Sequence, residues 1–61
     1  IMDLTKAVEI EFQEIIKETD KAYQIKFDAE TVVWIPKSQC RIISKTIYLT
    51  DWLAKGKGLI E

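Results

Sequence analysis

A chain of 61 residues has room for one domain, and at this size folding removes only about 60% of the surface that the unfolded chain exposes. Nearly half of the residues are apolar, the aromatics are Phe12, Tyr23, Phe27, Trp34, Tyr48 and Trp52, and the formal net charge is −1, a composition that excludes a disordered tail. Histidine is absent and Cys40 is the only cysteine, which excludes an internal disulfide, an ordinary four-ligand zinc site and histidine-assisted nucleophilic catalysis.

The first apolar pattern runs from Val8 to Phe12, where Val8, Ile10 and Phe12 alternate with Glu9, Glu11 and Gln13 in the two-residue period of a half-buried strand. Leu4, Val8, Phe12, Ile15 and Ile16 also share one helical face, so a helix over residues 4–17 is the competing expectation. The β-branched and aromatic content favours the strand, and the break in alternation at Glu14-Ile15-Ile16 then predicts a bulge or turn. Lys21 to Asp28 is the clearest strand, with Tyr23, Ile25 and Phe27 on one face and Ala22, Gln24 and Lys26 on the other.

After the polar break Asp28-Ala29-Glu30, the run Thr31 to Ile35 is apolar on both parities, the pattern expected of a central strand covered on both faces. Pro36 cannot donate to a ladder and should end it at an edge or turn. Cys40 to Ser44 and Thr46 to Leu49 read as two further strands joined at Ser44-Lys45. Thr50 is then placed to cap a short helix through its hydroxyl, Asp51 suits the positive end of the helix dipole, and Gly56 and Gly58 limit the helix to one or two turns.

Short strands in so few residues predict a mostly β fold: a small five-stranded curved antiparallel sheet or barrel, of Src-homology (SH3-like) or oligonucleotide-binding (OB-like) type, with a short C-terminal helix. The alternative is an α+β fold with an N-terminal helix over residues 4–17. Residues 1–61 are expected to form that single domain. No apolar run approaches the ~18 residues of a membrane span, and Ile1-Met2-Asp3-Leu4 lacks the basic-then-apolar layout of a secretory leader. Together with the unpaired cysteine, this predicts a cytoplasmic protein with no membrane partner.

Charge is distributed unevenly: eight acids oppose four bases through Pro36, and two acids oppose five bases from Lys37 onward. Such polarity suits either a basic surface for an acidic partner or head-to-tail self-association, unless folding mixes the two signs. Glu9 and Glu11 share a strand face and are expected to be solvated rather than catalytic. Cys40 is expected to be a small, buried or half-buried apolar residue, because its neighbour Arg41 points to the opposite face and cannot activate the thiol. With two glycines near the C-terminus and no phosphate loop, no cofactor is predicted and the chain is expected not to be an enzyme.

The candidate binding residues are Trp34, Lys37, Ser38, Gln39, Arg41 and Lys45. Aromatic rings among cations are the materials that stack bases and follow phosphates, and Lys37-Ser38-Gln39 could present hydrogen-bonding groups beside the Trp34 ring. The same segment also suffices as a strand end and polar turn. Trp34, inside an apolar strand, and Trp52, on the apolar side of a short helix, are each expected to pack in the core.

Glu18-Thr19-Asp20-Lys21-Ala22-Tyr23, then Trp34-Ile35-Pro36-Lys37-Ser38-Gln39, then Trp52-Leu53-Ala54 leading to Lys57-Gly58-Leu59-Ile60 resemble, in that order, a small uncharacterised family scattered through bacteriophages and other mobile elements. The resemblance covers residues 14–60 and implies a phage or prophage setting, in which small proteins handle DNA or inhibit host defence proteins. It implies no site residues. The expected function is a non-enzymatic binding module engaging nucleic acid or a host protein, with a homo-oligomeric interaction protein as the alternative that would supply the stability a small domain lacks.

Overall fold

The computed structural model describes residues 6–60. Six strands replace the five expected: β1 (Val8–Glu11), β2 (Glu14–Glu18), β3 (Ala22–Asp28), β4 (Thr31–Pro36), β5 (Cys40–Ile43) and β6 (Thr46–Leu49). A 3-10 turn, Lys37–Gln39, joins β4 to β5, and a helix, α1 (Asp51–Gly56), follows β6. All pairing is antiparallel, in two three-stranded sheets of order β1-β6-β5 and β2-β3-β4. The fold is therefore not a closed barrel; the strand expected from Val8 is present as β1, and the alternative helix over residues 4–17 is not formed where those residues are described.

The extra strand arises at a corner. The Phe12 amide donates to the Lys45 carbonyl at 3.0 Å, whereas the next amide, Gln13, donates to the Lys26 carbonyl at 2.8 Å. Consecutive residues thus bond to different sheets, which turns the chain out of the first sheet and into the second. The expected irregularity near Ile15-Ile16 is also present, as a register shift in the β2–β3 ladder between Ile15 and Lys17. At the other junction, Pro36 and the 3-10 turn end β4 before β5 begins, so no ladder joins them to close a barrel.

Side chains from both sheets meet in one core. Ile25 and Ile35 come from the second sheet, Ile47 and Leu49 from the first, and all four are fully buried. Each such side chain contributes about 1.5–3 kcal/mol of apolar burial. Phe12 fills the corner, while Leu53 and Ala54 seal the core from α1. The alternation read for the strand after Lys21 holds, since Tyr23 and Phe27 pack partly buried against the cluster that Ile25 centres.

The connections use local chemistry. The Thr19 hydroxyl accepts from the Ala22 amide at 3.1 Å and the Lys21 amide at 3.3 Å, shaping the β2–β3 turn. Asp28 accepts from the Glu30 amide at 2.9 Å in the β3–β4 turn. Between β5 and β6 the two-residue link is Ser44-Lys45, as expected, with Ser44 in the left-handed region at φ 57°. The helix is as short as predicted, ending ahead of Gly58 at φ 75°. Thr50 does occupy the N-cap position, but its hydroxyl makes no capping bond and, among the described residues, is buried without a protein partner.

Candidate functional site

The six residues singled out from the sequence do not form one surface. Lys37, Ser38 and Gln39 lie together on the 3-10 turn, at the end of β5 where Cys40 begins. Lys45 sits at the opposite end of β5, in the β5–β6 turn. Arg41 is exposed on β5 in register with Tyr48, and Tyr48 is in register with Glu9, so Arg41 belongs to the outward face of the first sheet. Trp34 belongs to the second sheet.

Two of the candidate cations already have partners within the chain. The Lys37 ammonium donates to the Glu18 carboxylate at 2.5 Å and lies 5.0 Å from the centroid of the Tyr23 ring. The Glu18 hydrogen bond, offsetting partial desolvation, raises the Lys37 pKa above its ordinary value. The Lys45 ammonium donates to the Gln13 carbonyl at 2.7 Å, bracing the corner. Glu18 with Lys37, and Glu9 in one cross-strand row with Arg41, show that the acidic and basic halves of the sequence mix on folding.

Cys40 is half-buried against the core, and burial pushes its thiol pKa up, the opposite of an activated nucleophile. The Tyr48 phenol is likewise raised, first by desolvation and then by the Glu9 carboxylate beside it. Glu9 and Glu11 are exposed, as expected, and with Ile10 and Thr46 they line one open depression. Asp20, Lys21, Pro36, Lys37 and Ser38 line another. Among the described residues no group of three His, Cys, Asp or Glu side chains is placed to hold a metal ion, and no helix is long and apolar enough to cross a membrane.

The most distinctive surface was not assembled by sequence reasoning. β4 is an edge strand rather than the doubly covered central strand expected, and Trp34 is 42% exposed on its outward face. Trp52 is 63% exposed on α1, so neither tryptophan packs in the core. Cross-strand register places Gln24 beside Trp34, Lys26 beside Val32 and Ala22 beside Pro36. On the other side of β3, Lys17 pairs with Gln24 and Glu14 with Lys26. Ile16, the extra residue at the β2 irregularity, is also exposed.

The outward face of the β2-β3-β4 sheet therefore has an apolar margin at Val32 and Trp34 on β4, a polar middle at Gln24 and Lys26 on β3, and Lys26 opposed by Glu14 on β2. The signal that could have found it is the polar parity of Ala22, Gln24 and Lys26, which marks the outward face of β3 and hence of whatever pairs with it. Comparison with protein-family models, with curated proteins and with solved structures finds no match to this chain.

Proposed function

We propose that this chain is a cytoplasmic, non-enzymatic binding module that engages another protein through the outward face of the β2-β3-β4 sheet. One observation carries the reading: an exposed tryptophan stands on the edge strand of the sheet beside a second exposed apolar residue, Val32, two positions before it on the same face. Contiguous exposed apolar surface around a large ring is the composition of a protein interface core, where tryptophan anchors dominate the binding energy. In the phage or mobile-element setting that the sequence resembles, the partner would be a host protein.

Nucleic acid is the less favoured partner. Lys37 and Lys45 are engaged within the chain, and Arg41 lies on the other sheet, so the candidate cations do not line a track beside Trp34. The histidine-free composition and the open form of both depressions support the non-enzymatic part of the reading.

The test is affinity capture from the cell that makes the protein, with and without nuclease, comparing the wild type with Trp34→Ala and Trp52→Ala. The reading requires a nuclease-resistant partner that Trp34→Ala loses and Trp52→Ala retains. Equal loss with both variants, or retention with both, removes Trp34 from the site. Nuclease-sensitive capture, accompanied by single-strand DNA binding that weakens steeply with salt, would replace the protein partner with nucleic acid.

A further inference from the structure

The four sheet edges are not alike. β1 carries Glu9 and Glu11, β5 carries Arg41, and β2 carries Glu14, Lys17 and Glu18 together with a register irregularity. These are the devices by which exposed edges are kept from pairing with other chains. β4, with the sequence Thr-Val-Val-Trp-Ile-Pro, carries no charge at all, and no described strand covers its outer side.

The direction of its backbone groups follows from the ladder. The Lys37 amide donates to the Lys21 carbonyl at 2.8 Å, in the same register as the pairs Tyr23–Ile35 and Ile25–Val33. Antiparallel pairs alternate between bonded and non-bonded, so Val33 and Ile35 turn their amide and carbonyl groups towards β3. Val32 and Trp34 therefore turn theirs outward, to the free edge. Bonds on the far side of β3 agree, since the carbonyls of Ala22 and Lys26 accept from Thr19 and Gln13. Pro36 has the outward parity too, where its missing amide costs no ladder bond.

We infer that β4 pairs with β4 of a second copy of this chain, antiparallel, about a two-fold axis through Val33. In that register Val32 of each copy faces Trp34 of the other, and both residues contribute an amide and a carbonyl, so four backbone hydrogen bonds form. A register centred on Trp34 would also form four bonds, but it sets Val32 against Pro36, whose missing amide leaves the Val32 carbonyl of each copy inside the new ladder without a donor. Charge selects the same direction of pairing. Asp28 and Glu30 lie at the start of the strand and Lys37, which also holds Glu18 of its own chain, just after its end, so antiparallel pairing brings the acids of each copy towards the lysine of the other, whereas parallel pairing sets acid beside acid at the start of the ladder.

The product is a six-stranded sheet, β2-β3-β4-β4-β3-β2, in which the two Trp34 side chains become diagonal neighbours about 7–8 Å apart on one face. An edge of six residues buries less than the ~1,600 Å² of a standard stable interface, so the dimer is weak and concentration-dependent. The inference rests on the backbone of β4 and is independent of the partner-binding reading above.

Sedimentation velocity on the full chain from about 10 μM to about 1 mM, with amide hydrogen exchange followed by NMR at both ends of the range, tests it. A reversible dimer is expected, with the amides of Val32 and Trp34 slowed at high concentration and those of Val33 and Ile35 slow throughout. Val32→Pro deletes an outward amide without touching the β3 ladder, and should weaken dimerisation at least about tenfold. Glu30→Lys, in the exposed turn, keeps every strand residue and should weaken it several-fold by facing Lys37 of the other copy. A monomer throughout the range overturns the inference. So does a dimer in which the Val32 and Trp34 amides exchange equally fast at both concentrations.

Discussion

Ile15 and Ile25 are cross-strand partners in the β2–β3 ladder, yet Ile25 is fully buried and Ile15 is 38% exposed at the sheet edge. Trimming one methylene from each therefore isolates burial from chemistry. A chain of 61 residues is expected to have about 3–9 kcal/mol of net stability. Ile25→Val should remove about 0.5–1.5 kcal/mol of it. At this length 1 kcal/mol moves the midpoint by about 8 °C, so the melting temperature should fall by about 4–12 °C. Ile15→Val should cost less than about 0.5 kcal/mol, because the methylene it removes is partly in water already. Ile25→Ala, at about 2–5 kcal/mol, approaches the whole stability and should leave much of the chain unfolded. Urea denaturation followed by circular dichroism, with the same slope for wild type and both valine variants, is the assay. Equal losses at the two positions, or a larger loss at Ile15, would refute the assignment of inner face and exposed edge.

Thr50→Val replaces a buried hydroxyl that has no protein partner among the described residues with a methyl of similar shape; stability should hold or rise, whereas a loss of about 1 kcal/mol in thermal unfolding would mean that the hydroxyl caps α1 after all. Asp28 is held below its ordinary carboxylate pKa, chiefly by the Glu30 amide and then by the Thr31 side chain, so its contribution to stability is present above the unfolded-state value and is lost as pH falls through the lowered folded one. The melting temperature of the wild type should accordingly fall more steeply from pH 5 to pH 2 than that of Asp28→Asn, which keeps an acceptor but does not titrate; parallel curves would refute this. Cys40 should react with iodoacetamide at least about tenfold more slowly in the native chain than in denaturant, and equal rates would contradict its half-buried, raised-pKa thiol.

Alternation was a reliable guide where only one parity was apolar. Tyr23, Ile25 and Phe27 face the core as their spacing requires, and the Ser44-Lys45 link, the break after Asp28 and the short terminal helix all follow from local residue chemistry. It failed in β4, where both parities are apolar and a covered strand cannot be told from an edge strand. The face that Trp34 takes depends on a single residue. The β3–β4 turn pairs Asp28 with Thr31, a register that, if continued, would set Trp34 opposite the buried Ile25. An irregularity between Lys26 and Asp28 shifts the ladder by one, pairs Trp34 with Gln24 and puts the ring outside. No residue between Lys26 and Asp28 announces that shift. The candidate cations were scattered for a similar reason. Lys37 and Lys45 are close in sequence to Trp34, but a strand of four residues, Cys40–Ile43, separates their turns.

The way the chain divides between its sheets bears on how it folds. β2, β3 and β4 are consecutive, so their meander closes through two short turns, whereas the other sheet must join Val8 to Leu49 across nearly the whole sequence. Short-range ladders form before long-range ones, since closing a long loop costs entropy that only later contacts repay. The meander is thus the natural nucleus, and the docking of β1 onto β6 is the late event. Weakening β1 at Ile10 should mainly hasten unfolding, while the same loss at Ile35 should slow folding itself.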